Sequence, residues 1–259
     1  MNAPAKAWRE LSEPFALLES TGVLGELGGY AEIPAKAPTS RWMEKALVTS
    51  FNWDDKVAVG VAGSQAPMSA CVSYAGCAAA AIRLSIRKRT VRLAPRVMHL
   101  CVMKLDPALG TSATAFIDAA RRAGLPEAPT DSEQQSAGLI TQGAQCGVSD
   151  EFGAVAVLDA YRFTTEEEIK QEIVRNGPVV AHIYLYEDFW TRYGGGIYSD
   201  GTVRRGEHAV CLIGFDDAAQ CWIGLNSQGP RWGEDGRFRL KYGSCGVLAK
   251  YMPVYALKV

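Results

Sequence analysis

Apolar positions change their period near the middle of the chain. From Ala70 to Ile82 the sequence is almost unbroken apolar, with Ser69 ahead of it and Arg83 as the first charge after it. Such a run predicts a helix from Cys71 to about Arg87, capped by Ser69 and buried on nearly every face. A second helix is predicted from about Ala113 to Ala123, with Thr111 or Ser112 as its cap and Gly124 and Pro126 ending it. Thr165-Glu166-Glu167-Glu168 reads as a capping box ahead of Ile169 and Ile173, and Asn176-Gly177-Pro178 stops that helix. Beyond Pro178 the apolar residues fall into short strand-like runs over 178–186, 208–215, 220–225, 236–241 and 253–258. Turn residues separate them: Gly194-Gly195-Gly196, Asp216-Asp217 and Gly233 to Gly236. Helices first and strands second predict an α+β chain of two lobes, with the cleft between them as the favoured place for a site.

Residues 1–50 follow neither period. They hold one short amphipathic stretch from Phe15, then Gly28-Gly29, Pro34 and Pro38. Trp8, Leu11, Phe15, Leu17, Leu18, Leu24 and Tyr30 would make a sticky surface if exposed, so this extension is expected to pack on the body. The division expected is an extension over 1–50, a helical lobe over 51–157 and a β-rich lobe over 158–259, whose end can return to the helical lobe.

Composition narrows the function classes. In 259 residues there are 27 Lys and Arg against 28 Asp and Glu, a formal net charge of −1. A near-neutral chain has no bulk attraction for nucleic acid or anionic membrane, and neither partner is expected. The longest nearly apolar run, 70–82, is well short of the ~20 residues that span a bilayer. The arginines and lysines at 83, 87, 88, 89 and 92 are expected on a solvated helix end, complementing the helix dipole. Seven cysteines are present, at 71, 77, 101, 146, 211, 221 and 245, with no Cys-x-x-Cys pair. His99, His182 and His208 have no metal-ligand spacing, so neither a metal nor another cofactor is expected. The opening residues lack the apolar stretch of a signal peptide. The chain therefore reads as cytoplasmic, with free thiols.

Three stretches carry chemistry. In Gly63-Ser64-Gln65-Ala66-Pro67-Met68-Ser69-Ala70-Cys71 a cysteine opens the long helix, where free N–H groups and the helix dipole favour a thiolate. Gly206-Glu207-His208-Ala209-Val210 places a histidine at the entry to an apolar strand, and Asn226-Ser227-Gln228 leads into a Gly- and Trp-rich turn ending at Gly236. A thiol attacks a carbonyl after an imidazole has taken its proton. A neutral amide oxygen on the other ring N–H holds that imidazole in place. The backbone N–H of Cys71 and the side-chain amide of Gln65 supply two donors for an oxyanion.

In this order the residues resemble the papain-like cysteine peptidases. His208 lies 137 residues after Cys71 and Asn226 lies 155 after it, close to the spacing of that family. Phe51-Asn52-Trp53 resembles the opening of the mature enzymes, Gln65 to Cys71 their Gln-Gly-x-Cys-Gly-x-Cys loop, and His208-Ala209-Val210 to Phe215 their histidine strand. Asn226-Ser227 with Trp232-Gly233-Glu234-Asp235-Gly236, Gly194 to Tyr198, and Cys245-Gly246 to Tyr255 complete the match over 51–259. The resemblance implies a papain-like fold of helical lobe plus β-barrel-like lobe, with catalytic Cys71, His208, Asn226 and Gln65. Departures accompany it. Met68 stands where the family has a bridging cysteine, which implies that the usual disulfide is absent and Cys101 is a free thiol. Gln228 stands where the family has a tryptophan that shields the His–Asn hydrogen bond from water. The glycine-rich substrate-binding stretch is absent, with Leu109-Gly110 its nearest counterpart. The expected function is thiol-dependent acyl chemistry, in the first place hydrolysis of a peptide or amide bond through an acyl-enzyme on Cys71. Acyl transfer from a small amide or thioester and an inactive binding module are the alternatives; the oligomeric state is left open.

Overall fold

A long helix laid against a mostly antiparallel sheet organises the chain. The computed structural model describes residues 33–35, 48–60, 62–128 and 153–259. In chain order they form β1 (Ser50–Asn52), α1 (Cys71–Ile86), α2 (Pro95–Val97, running on as a π turn over Met98–Val102), α3 (Ala113–Ala123), β2 (Leu125–Glu127), β3 (Gly153–Val155), β4 (Asp159–Phe163) and α4 (Glu166–Asn176). Then come β5 (Val179–Tyr186), α5 (Glu187–Arg192), β6 (Ile197–Tyr198), β7 (Arg204–Asp216), β8 (Cys221–Leu225), β9 (Arg237–Lys241) and β10 (Val254–Lys258). This is the α+β arrangement the patterning predicts. Among the described residues no helix is long and apolar enough to cross a membrane.

The main sheet runs β4-β10-β5-β7-β8-β9-β6, with β1 also on β7. β7 is its spine. Its earlier part, up to Leu212, pairs with β5, and Gly214–Asp216 pair with β1. Gly214 marks the change of partner, because a side chain there would collide with the backbone of Phe51. β10 lies between β4 and β5, so the C-terminal strand closes the β-rich half. α1 packs against β7, β5 and β10 on one side and α3 on the other, where Gly76 lets the Phe116 ring sit on its backbone. That double contact is why α1 is apolar all round.

Local signals match where they are self-contained. Ser112 accepts from Ala115 N at 3.1 Å to start α3. Thr165 and Glu168 exchange both capping-box hydrogen bonds, each 3.2 Å. Ser69 does not cap α1: Ala70 is the N-cap, with no side-chain hydrogen bond, and Ser69 N donates instead to Pro107 O at 2.8 Å. The first N–H groups of α1 are thereby left without a side-chain acceptor. Of the N-terminal extension, Ile33 is buried, and Arg162 of β4 holds Pro34 O through its backbone N (3.0 Å) and Ile33 O through Nε (2.9 Å). The large apolar residues from Trp8 to Tyr30 lie outside the described residues.

Two expectations are corrected. Arg83 is not on a solvated face: it is 3% exposed and donates from Nη2 to Glu172 Oε1 at 2.7 Å, from Nε to Pro178 O at 2.9 Å and from Nη2 to Gly177 O at 3.1 Å. The sequence places it at the end of an apolar run, but the face it occupies meets α4 and the start of β5, whose exposed carbonyls need a donor. Cys101 is not a free thiol: it is disulfide-bonded, while Cys71, Cys77, Cys211, Cys221 and Cys245 are free. Spacing to a missing family cysteine says nothing about other partners. The free-thiol premise behind the cytoplasmic expectation fails at this residue, since disulfides persist in oxidising compartments.

Two measurements follow from these corrections. Glu172→Gln leaves the buried guanidinium unpaired and is expected to lower the unfolding free energy in urea by about 3–5 kcal/mol; a loss below about 1 kcal/mol would mean that the carbonyls alone satisfy Arg83. Thiol titration of the denatured, unreduced chain is expected to find five thiols, the free cysteines at 71, 77, 211, 221 and 245, against the seven cysteines of the sequence after reduction. Seven before reduction would exclude the bridge.

Candidate active site

Cys71 is the first residue of α1, and among the described free cysteines it alone borders solvent. Its thiol turns inward toward the start of the helix and the backbone of Ala209 in β7. Burial pushes the thiol above the ordinary cysteine value; the N–H groups of Ala209, Val72 and Cys71 itself pull it back. The uncapped helix start is therefore used: N–H groups that no side chain takes face the sulfur. Ala209 follows His208, so this contact also brings Cys71 to the histidine strand.

His208 is 2% exposed and its Nε2 lies 2.8 Å from Asn226 Oδ1. That oxygen also accepts from Ser227 N at 2.8 Å. An atom that takes a backbone N–H is the amide oxygen, so His208 Nε2 is the donor, and the neutral ring keeps Nδ1 as its base. Gln65, 3% exposed, joins the same network from the other side: its Oε1 accepts from Ser227 Oγ at 2.6 Å and its N donates to Ser227 O at 2.9 Å. Its Nε2 donates to Met68 O at 2.8 Å, which leaves one amide N–H free. The structure thus joins Gln65, Ser227, Asn226 and His208 by hydrogen bonds, with Cys71 against the residue next to His208.

Sequence reasoning missed two residues of this site. Ser227 is the link between Gln65 and Asn226; nothing but its place beside Asn226 marks it. Trp190 of α5 stands edge-on to His208, with ring centroids 5.4 Å apart at 87°, and is buried. Its indole covers the imidazole in place of the tryptophan that Gln228 replaces. The aromatic pair Phe189-Trp190 ahead of the triple glycine is its only signal in the sequence. Gln228 is itself buried, with Nε2 unpartnered among the described residues. His99 and His182 remain outside the network, both buried, with no ring nitrogen partnered among the described residues. No three His, Cys, Asp or Glu among the described residues are grouped as a metal ion needs.

Burial lowers His208 to about 4, against the raising effect of Asn226, and lowers His182 to about 3, helped by the positive form of His208 nearby. His99 is also lowered by burial. An unfolded histidine titrates near 6.5. Between that value and the folded one the unfolded chain binds a proton that the folded chain refuses, so stability is full above about 6.5 and falls as pH is lowered through this window. Urea midpoints are expected to drop steadily from pH 7 to pH 4. His182→Leu, which removes one such proton, should flatten the slope; an unchanged slope would show that His182 is protonated in the fold.

The comparisons with known proteins bear on this geometry. Among curated proteins, cathepsin B of Dictyostelium discoideum is 39% identical over 90 residues, 34% of this chain and 29% of that protein. Cathepsin B-like cysteine proteinase 2 of Haemonchus contortus is 44% identical over 84 residues, 30% of this chain and 24% of that one. The matched stretches thus span under a third of these relatives. Among solved structures, a proCathepsin B from Trypanosoma congolense matches with a TM-score of 0.70 at 18% identity, covering 87% of this chain and 82% of that one. The cysteine protease CMS1MS2 of Carica candamarcensis, solved with E-64, matches with a TM-score of 0.66 at 22% identity, covering 82% of this chain and 99% of that one. These likenesses establish the papain-like fold. The family model described as papain family cysteine protease matches residues 47–255, most of the chain, and the chain belongs to that family.

Proposed function

We propose that the chain hydrolyses peptide or amide bonds through an acyl-enzyme on Cys71. The observation that carries this reading is the commitment of His208 Nε2 to Asn226 Oδ1 at 2.8 Å, which leaves Nδ1 as the free base on the strand that Cys71 meets at Ala209. Nδ1 accepts the Cys71 proton as the sulfur attacks the carbonyl carbon. The carbonyl oxygen takes the negative charge and meets Cys71 N–H and the free N–H of Gln65 Nε2. The imidazolium returns its proton to the leaving amine, which departs and leaves a thioester. Water, deprotonated at Nδ1, then releases the acid and the thiol. Burial raises Cys71 and lowers His208, and the N–H groups at the sulfur and the Asn226 oxygen at the ring act against it.

Two arguments favour hydrolysis within this chemistry. The family is one of proteases, and a solved relative was captured with E-64. Cys71, His208, Asn226 and Gln65 are all retained; the last three are joined through Ser227 in one hydrogen-bond network with Cys71 against Ala209 beside it, as an inactive binding module has no need to hold them.

Four variants test the assignment. Cys71→Ala is expected to abolish turnover of a fluorogenic dipeptide amide with the thermal midpoint unchanged, and iodoacetamide is expected to label Cys71 alone in the native protein. Gln65→Ala should lower kcat/KM by about 10²–10³-fold, the range for one oxyanion donor. Asn226→Ala should cost less and move the acid limb of the rate profile below that of wild type, since it removes the interaction that opposes burial at His208. Wild-type turnover by Cys71→Ala would end the proposal. In Cys71→Ser turnover should be lost as well, because a serine hydroxyl is far less nucleophilic beside the same imidazole.

A further inference from the structure

One arginine holds both carbonyls that flank Gln65. Arg96, in the first turn of α2, donates from Nη2 to Ser64 O and to Ala66 O, each at 3.0 Å. These are the carbonyls on either side of Gln65. Its Nε donates to the Tyr74 hydroxyl at 2.9 Å, and that hydroxyl donates in turn to Ser64 O at 2.8 Å. Tyr74 is on α1, three residues after Cys71, so the clamp ties the loop to the helix that carries the thiol. Gly63 lies against the Tyr74 ring, where a side chain would have to displace it. From the opposite side Ser227 holds Gln65 through its backbone and its side chain. Beneath the loop, Met68, Tyr74, Ala94, Val97, Leu100 and Cys101 belong to a small apolar cluster separate from the main core.

We propose that Arg96 is a positioning residue for Gln65: by holding both flanking carbonyls it fixes the amide that faces the oxyanion. The inference rests on the reading of Gln65 as an oxyanion donor. In this chain Met68 leaves the loop without the cysteine that the family uses there, and Cys101 is bonded to another partner. A loop with no covalent anchor needs other restraints. A planar guanidinium with several fixed donors restrains two carbonyls at once, which the point charge of lysine does less well. The Arg96 donors also polarise the Ser64–Gln65 peptide, whose N–H points to Ser227 O, so the two sides of the clamp strengthen each other.

The test uses the full chain and three readouts: kcat and KM for a fluorogenic dipeptide amide, affinity for the peptide aldehyde leupeptin by calorimetry, and the rate of Cys71 alkylation by iodoacetamide. A bound aldehyde forms a tetrahedral adduct whose oxygen needs the oxyanion donors; alkylation does not. Arg96→Gln is expected to lower kcat and aldehyde affinity by about ten- to a hundredfold, the scale of a misplaced catalytic group. KM, the alkylation rate and the pH profile should stay within about twofold of wild type, by the same separation of roles. Arg96→Lys should recover part of the loss. In the Gln65→Ala background Arg96→Gln should cost nothing more. A parallel fall in alkylation, an equal loss in the Gln65→Ala background, or no loss at all would overturn the role of Arg96. Wild-type turnover and aldehyde affinity in Gln65→Ala would instead overturn the reading of Gln65 itself.

Discussion

Asn226 Oδ1 accepts two N–H groups at once, from His208 Nε2 and from Ser227 N. Much of the site follows from that double acceptance. The backbone donor decides which end of the amide faces the ring, the ring must then donate, and its second nitrogen is left as a base. Ser227, held in the same turn, places its hydroxyl on Gln65, which is 162 residues away in the chain. One turn after β8 therefore sets the tautomer of His208 and braces the Gln65 loop. Removing a partner from a buried network of this kind costs more than the mean worth of a hydrogen bond, because the remaining atoms stay buried and unpaired.

The same burial that makes these bonds strong works against charge. Both members of the proposed pair are pushed toward their neutral forms, Cys71 upward and His208 to about 4. What opposes burial is local and directional: three backbone N–H groups at the sulfur and one amide oxygen at the ring. Fixed dipoles of this kind are placed to stabilise charge that develops during reaction. The acid sensitivity of the fold has the same origin, since neutral buried histidines are a stability term only while the solvent leaves them neutral.

Features governed by a few neighbouring residues were legible in the sequence. The Thr165 capping box and the Ser112 cap rest on local contacts, the runs that became β5, β8, β9 and β10 carry their own apolar pattern, and the structure places the ends of those strands within one or two residues of expectation. Cys71, Gln65, His208 and Asn226 were legible because a resemblance of order and spacing spans most of the chain. Features that depend on what lies opposite were not. β4 is five residues long and carries Asp159 and Arg162, and only β10, some ninety residues on, makes it a strand. Arg83 looked like the polar end of a helix until α4 and the carbonyls before β5 surrounded it. Trp190 went unmarked and Cys101 looked like a spare thiol for the same reason: their partners are set by tertiary packing, on which sequence period is silent.

Two of the departures from the family pattern concern how the site is held. Met68 removes a covalent staple from the Gln65 loop; Arg96 and Tyr74 hold its carbonyls instead. Gln228 removes an indole from beside Asn226; Trp190 reaches His208 from α5. In both cases the requirement is physical and indifferent to which residue meets it. An oxyanion donor must not drift, and a His–Asn hydrogen bond must stay out of water. Trp190 is itself anchored, because its carbonyl accepts from Trp232 Nε1 at 3.0 Å, and Trp232 packs on Phe189 and Tyr193. The cover over His208 is thus tied to the turn that carries Asn226, only six residues before Trp232. His208, Asn226 and Trp190 are thereby joined through one set of contacts, against which the helix bearing Cys71 is set.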